Sequence, residues 1–177
     1  MKDIRLFSVE GGGGVTLDEE PHPLYNHDRS LLSDTAVKPF VFDFWQGPKV
    51  PVKPLGVKAS IYGVNGSPLG EGEPVEACAG ITHEWTVVNN STTLHPFHLH
   101  ANHFQVTSYE CYTPGPCEND DYEVGDWRDS IAVPSPGEVK VRFRADGWEG
   151  ETMAHCHIIG HQDRGMAVGV KMGGYCK

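Results

Sequence analysis

The sequence predicts an all-β domain, a sandwich or barrel built from many short strands. Three features carry that prediction. Glycine (21) and proline (13) are frequent and scattered along the chain. No long segment carries an apolar stripe at helical spacing. Instead, several short runs read as strands bounded by turn residues, a pattern that implies two packed layers or a closed sheet.

The elements follow in order. Residues 40–45, Phe-Val-Phe-Asp-Phe-Trp, read as a strand ended by the turn signal Gln46-Gly47-Pro48. Residues 59–64 form the next, ended by Asn65-Gly66-Ser67-Pro68. Strands over 83–89 and 104–109 come after it, the latter running toward Pro114-Gly115-Pro116. Pro134-Ser135-Pro136-Gly137 introduces a strand over 139–143, and Asp146-Gly147 closes it. Strands over 152–157 and 166–172 complete the set, with one or two turns of helix expected only just after Cys156. Residues 1–35 differ in character. They hold a glycine run at 11–14, the acidic Asp18-Glu19-Glu20 and Pro21-His22-Pro23, so they read as an irregular extension or inter-domain linker. Residues 1–9 are a candidate edge strand, and 36–177 form the domain proper.

The 177 residues suit one domain with a real core. The formal net charge is -10, with 24 acidic against 14 basic residues. That balance argues against a nucleic-acid partner, which needs a basic face; it is compatible with a cationic substrate but reads most simply as solubility. No segment approaches the roughly 18 consecutive apolar residues of a membrane span. Residues 1–14 carry Lys2 and Arg5 but no apolar core of a secretory signal. Setting Cys156 aside, the remaining cysteines are Cys78, Cys111, Cys117 and Cys176. Of the three possible connectivities, Cys111 with Cys117 and Cys78 with Cys176 is favoured, which implies an oxidising compartment; four buried free thiols are the alternative. Asn65, Asn89 and Asn90 each open an Asn-x-Ser/Thr sequon, a pattern common by chance.

Two segments carry the chemistry: His95-Pro96-Phe97-His98-Leu99-His100, and residues 155–166, His-Cys-His-Ile-Ile-Gly-His-Gln-Asp-Arg-Gly-Met. On a strand, side chains alternate faces, so His155 and His157 point one way and Cys156 the other. Cys156, His161 and Met166 follow a Cys-x4-His-x4-Met spacing, which lets one tight loop fold three ligands around an ion. His95 is the natural fourth ligand, on the expectation that Pro96 breaks the strand and turns His95 away from His98 and His100. Two histidines, a thiolate and a thioether form a blue-copper set. Binding needs the thiolate and neutral imidazoles, so copper uptake should release protons. The further pairs His98/His100 and His155/His157 imply a second metal centre across the strand.

These segments resemble the paired copper signatures of multicopper oxidases, the family of laccases, ascorbate oxidase and bacterial cuprous and ferrous oxidases. The resemblance continues through Asn65-Gly66, Glu84-Trp85-Thr86-Val87-Val88-Asn89, Asn102-His103-Phe104-Gln105-Val106 and Asp126-Trp127-Arg128-Asp129-Ser130 and covers residues 36–172. It implies the family's C-terminal domain, a Greek-key β-sandwich of the cupredoxin kind. Carried over residue by residue, it makes His95, Cys156, His161 and Met166 the type 1 copper ligands, His98 a type 2 ligand, and His100, His155 and His157 ligands of the type 3 pair. Family enzymes take electrons singly from a small phenolic or reduced-metal donor and pass four to dioxygen, giving water. Their cluster draws half of its eight histidines from the first domain, as two further His-x-His motifs. Here His22, His27, His83 and His103 are unpaired at that spacing. The resemblance therefore implies half an oxygen-reducing site, in a fragment or in a subunit whose partners are other cupredoxin domains. Family habit and the cysteines favour an extracytoplasmic location.

Competing readings are a one-copper electron-transfer cupredoxin without oxidase activity, and a copper-sequestering or subunit-contact domain. Zinc is a poorer match, since it rarely takes methionine, and the Pro-Cys-x-x-Cys of zinc deaminases is absent. Asp129 and Asp163 are candidates to orient ligand imidazoles, or else to cap turns or pair with Arg128 and Arg164. Phe97, Leu99, Ile158, Ile159 and the four tryptophans (Trp45, Trp85, Trp127, Trp148) read as packing. The acidic run at 118–121 reads as a solvated loop.

Overall fold

A computed structural model describes residues 30–52, 56–113 and 123–174. The predicted edge strand at 1–9, the turn at 114–116 and the acidic run at 118–121 lie outside these residues. Eleven strands and one short helix are formed among the described residues. One sheet holds, in spatial order, β2 (Val57–Val64), β1 (Val37–Val52), β4 (Thr82–Asn89), β9 (Gly137–Arg144), β6 (Phe104–Cys111) and β7 (Trp127–Arg128). The other holds β3 (Val75–Ala77), β11 (Ala167–Met172), β10 (Gly150–Cys156), β5 (His95–Leu99) and β8 (Ser130–Val133). The sheets stay separate, so the molecule is a sandwich and not a barrel. The chain passes between them repeatedly, with spatial neighbours out of sequence order, as Greek-key connections require. The helix α1 (Ile159–Gln162) sits where the sequence places it, just after Cys156.

Period-2 alternation fills the space between the layers. Trp85 and Val87 of β4, and Val139, Val141 and Phe143 of β9, turn inward, while Glu84, Lys140 and Arg142 lie on the other face. Trp85 is 0% exposed and meets Phe40, Phe143, Phe42 and Phe97, with ring centroids 4.9, 5.1, 6.3 and 6.3 Å away. Of the four tryptophans it is the one at the centre; Trp45, Trp127 and Trp148 are half-buried.

Two expectations need correction. Gln46-Gly47-Pro48 does not end a strand: β1 runs on past it to Val52, and the pairing with β2 absorbs the irregularity as a register shift between Gln46 and Lys49. Pro96 does not break β5 either. The strand is continuous, and the Pro96 carbonyl accepts the His157 N–H at 2.8 Å beside the last β5–β10 pair, so the missing proline N–H costs the ladder little. Strands β3, β7 and β8 were not anticipated.

Asn65-Gly66 forms the predicted turn, with φ of 52° and 83°, the left-handed pair for which Asn-Gly is suited. The Asn65 side chain accepts the Asp43 N–H and donates to the Val41 carbonyl, tying the turn to β1. Asn89 is fully buried and donates to the Thr93 and Val133 carbonyls, so its sequon is closed to modification in the folded domain. Residues 30–34, the end of the predicted extension, lie against the larger sheet. Arg142 donates to the Leu31, Leu32 and Asp34 carbonyls while pairing with Glu84 at 2.7 Å, and Gln105 accepts the Leu31 N–H at 2.7 Å.

Candidate metal centre

Strands β5 and β10 pair with Phe97 opposite Cys156 and His98 opposite His155. Alternation along β5 turns His95, Phe97 and Leu99 into the sandwich and His98 to the other side. His95 and His98 therefore part company by parity alone, three residues apart on one strand, with no break needed. Cys156, 0% exposed, faces inward, and its neighbours His155 and His157 belong to the opposite side.

The inward group is compact. His95 Nδ1 and His161 Nδ1 are 3.2 Å apart, and Cys156 Sγ lies 3.5 Å from the first and 3.8 Å from the second. Metal–N bonds of about 2.0 Å and a metal–S bond of about 2.3 Å, spread at 120° in one plane, place donor atoms about 3.5–3.7 Å apart. The observed triangle has the size of a three-coordinate ion. Met166, also buried, is fastened to both loop ligands by its backbone. Its N–H donates to the His161 carbonyl and its carbonyl accepts the Cys156 N–H, both at 3.0 Å. Two imidazoles, one thiolate and a loop methionine suit copper better than zinc, which rarely recruits a thioether.

Packing holds the rings in place. Phe44 lies against His95 at 4.9 Å, and Tyr62 stacks on His161 at 4.3 Å and 27°, with the Arg164 guanidinium 4.7 Å from the Tyr62 ring centroid. The loop is stapled to β2 and the segment after it, because the Tyr62 N–H donates to the Arg164 carbonyl and the Leu69 N–H to the Gly165 carbonyl. Gly165 has φ +105°, and a Cβ there would stand 2.5 Å from the Tyr62 carbonyl oxygen and 2.9 Å from Pro68. Gly165→Ala is expected to cost about 2–3 kcal/mol in chemical denaturation and to weaken copper retention, since it pushes the loop off its staples.

The outward group is formed by His98, His100 and His155, whose ligand atoms lie within 4.8 Å of one another. His98 Nδ1 donates to the Asp129 carbonyl and contacts the Ser130 hydroxyl, both at 2.8 Å, and His155 Nδ1 donates to the Cys156 carbonyl at 2.9 Å. Those contacts leave Nε2 of each ring without a hydrogen, as a metal ligand must be. His100 Nε2 lies 2.8 Å from His155 Nε2. His157 is exposed, 5.2 Å from the His98 ring and 5.6 Å from the His155 ring; it adjoins the trio without joining it.

Burial sets the protonation states. It pushes the Cys156 thiol up to about 11, against a smaller opposing contact with the Ile158 backbone. The metal-free thiol therefore keeps its proton at neutral pH, and a cation must displace it. Burial, helped by the nearby His161, lowers His95 from 6.5 to about 4. Burial also lowers His98, His100, His155 and His161. An unfolded chain takes up these protons as pH falls below about 6.5, whereas folded His95 resists until about 4. The part of the metal-free domain's stability that depends on His95 is thus flat above that window and falls with acid inside it, by about 3 kcal/mol in all. Thermal melts at pH 7 and pH 5 should show the drop, and His95→Gln should reduce it.

Other candidate residues have different parts. Asp129 does orient His98, but through its backbone carbonyl, and Arg128 pairs with Asp126 at 3.2 Å. Asp163 sits at the C-terminal end of α1, and Arg164 donates to the Gly160 carbonyl at 2.5 Å. His83 is a core histidine, stacked on Phe143 and bonded to the Cys78 carbonyl. Sequence reasoning missed Ser130, Tyr62 and Phe44, which reach the ligands only through tertiary packing. Cys156 is a free thiol, Cys78 and Cys111 are disulfide-bonded, and Cys117 and Cys176 lie outside the described residues.

Known proteins with this pattern are similar over parts of their length. The iron multicopper oxidase fer1 of Mycosarcoma maydis is 39% identical over 79 residues, 41% of this chain and 12% of that protein. A laccase of Haloferax volcanii is 34% identical over 107 residues, 59% of this chain and 18% of that protein. The chain thus spans less than a fifth of either relative. A solved multicopper oxidase from Campylobacter jejuni, described as a metallo-oxidase, superposes with a TM-score of 0.57 over 78% of this chain and 30% of its own, at 21% identity, a likeness of fold. The multicopper oxidase family model matches residues 39–173, all of the β-sandwich but the first two residues of β1, and the chain belongs to that family.

Proposed function

We propose that this domain is the C-terminal part of a copper-dependent oxidase that takes electrons from a phenolic or reduced-metal donor and contributes half the histidines of an oxygen-reducing cluster. In this reading His95, Cys156, His161 and Met166 hold the type 1 copper, His98 holds the type 2 copper, and His100, His155 and His157 hold the type 3 pair. Bound copper would supply one-electron transfer at the first group and reduction of dioxygen to water at the second. The protein's own part is to keep the thiol and imidazoles dry, fix Nε2 of His98 and His155 as the free nitrogens, and join the groups covalently. That last feature carries the proposal: Cys156 lies in the inward group, and the adjacent His155 lies in the outward one. The names of the relatives, iron multicopper oxidase and laccase, support the choice of donors.

Other cupredoxin domains, in the same chain or a partner, would supply the missing His-x-His pairs. Disulfides Cys111–Cys117 and Cys78–Cys176 belong to the same proposal. The test is to co-express the chain with a domain carrying two further His-x-His pairs, then measure copper content and oxygen uptake. Several coppers per assembly with donor-dependent oxygen uptake are expected. A single copper and no uptake would leave the second reading, a one-copper electron carrier, which the complete His2CysMet set within one chain favours.

A further inference from the structure

The loop between β4 and β5 contains a hydroxyl that no part of the oxidase reading uses. Ser91 Oγ lies 3.0 Å from Nε2 of His95, the ring nitrogen turned away from Cys156 and His161. Its other neighbours are Asn89 Oδ1 at 2.7 Å, the Thr93 carbonyl at 2.8 Å and the Thr93 N–H at 3.2 Å. A serine hydroxyl has one proton to give and two lone pairs with which to accept. Asn89 Oδ1 and the Thr93 carbonyl are acceptors only, so the proton goes to one of them. The Asn89 amide is not free to flip: its nitrogen donates to two carbonyls and its oxygen accepts the Ser91 N–H at 3.0 Å. One lone pair of Ser91 takes the Thr93 N–H, and the other faces His95. With two close oxygens competing for the one serine proton, the remaining lone pair is best matched when His95 Nε2 carries the hydrogen and donates it.

We propose that Ser91 is a positioning residue that holds His95 as the Nε2–H tautomer and so aims the bare Nδ1 at the metal position. His95 is 2% exposed, so water is a poor substitute for the hydroxyl. Without Ser91, the hydrogen can move to Nδ1, where His161 Nδ1 at 3.2 Å and Cys156 Sγ at 3.5 Å would accept it. That contact closes the donor triangle on itself and competes with the ion. The same hydrogen bond makes the imidazole a stronger donor, which favours the oxidised metal. The inference rests on the type 1 reading for its consequence in copper binding, but the tautomer is a property of the metal-free protein.

The test reads the two separately. Nitrogen-15 NMR of the copper-free chain reports the His95 tautomer, and copper titration and redox titration follow in the wild type, Ser91→Ala and Ser91→Thr. The expected wild-type tautomer is Nε2–H. In Ser91→Ala it becomes mixed or reversed, copper affinity falls about ten- to a hundredfold and the reduction potential rises, while Ser91→Thr restores all three. A wild-type Nδ1–H tautomer, or a Ser91→Ala protein with unchanged tautomer and affinity, overturns the role of Ser91. A wild type with the Nε2–H tautomer that fails to bind copper sinks the type 1 reading instead and leaves the hydrogen bond standing.

Discussion

Cys156→Ser should abolish the intense visible absorption of the copper-loaded domain while leaving a folded protein. A hydroxyl is a far weaker partner for copper than a thiolate, so the charge-transfer colour of a blue site goes with the sulfur. The thiol is wholly buried among Phe97, Leu99 and other core residues. Placing a hydroxyl there costs about 1–3 kcal/mol, or several degrees in thermal midpoint for a chain of this size. Absorption and melting should therefore separate: the band lost entirely, the melt lowered but still cooperative. A variant that keeps the band would remove Cys156 from the site.

The second large effect is in the core. Trp85→Ala removes the ring shared by Phe40, Phe42, Phe97 and Phe143, and is expected to cost about 3–5 kcal/mol in urea unfolding. That is a large fraction of the 5–15 kcal/mol typical of a domain. It should also weaken copper binding, because Phe97 stands between His95 and His98 on β5 and rests on Trp85 and on Phe42, whose ring is 5.0 Å away. A loss under about 1 kcal/mol would mean that the cavity collapses without strain.

The metal groups were readable because their logic is local. Alternation on a strand separates Cys156 from His155, and the Cys-x4-His-x4-Met spacing fits one loop. The same alternation already separated His95 from His98, so the break assigned to Pro96 was unnecessary. What local pattern does not reveal is which layer a strand joins, and sandwich and barrel therefore stayed open. Strands β7 and β8 escaped notice because they are two and four residues long and one residue apart. Gln46-Gly47-Pro48 looked like a stop because its composition suits a turn, yet pairing with β2 carries β1 past it. The partners of the ligand rings depend on tertiary contact. Tyr62 is 99 positions from His161, and Asp129 acts through a carbonyl that every residue possesses.

Copper-edge X-ray absorption on the chain loaded with one equivalent of copper asks the central question at the ion itself. Convergence of the side chains at 95, 156 and 161 predicts a first shell of one short sulfur and two imidazole nitrogens. A shell of nitrogen and oxygen alone, unchanged by Cys156→Ser, would contradict it.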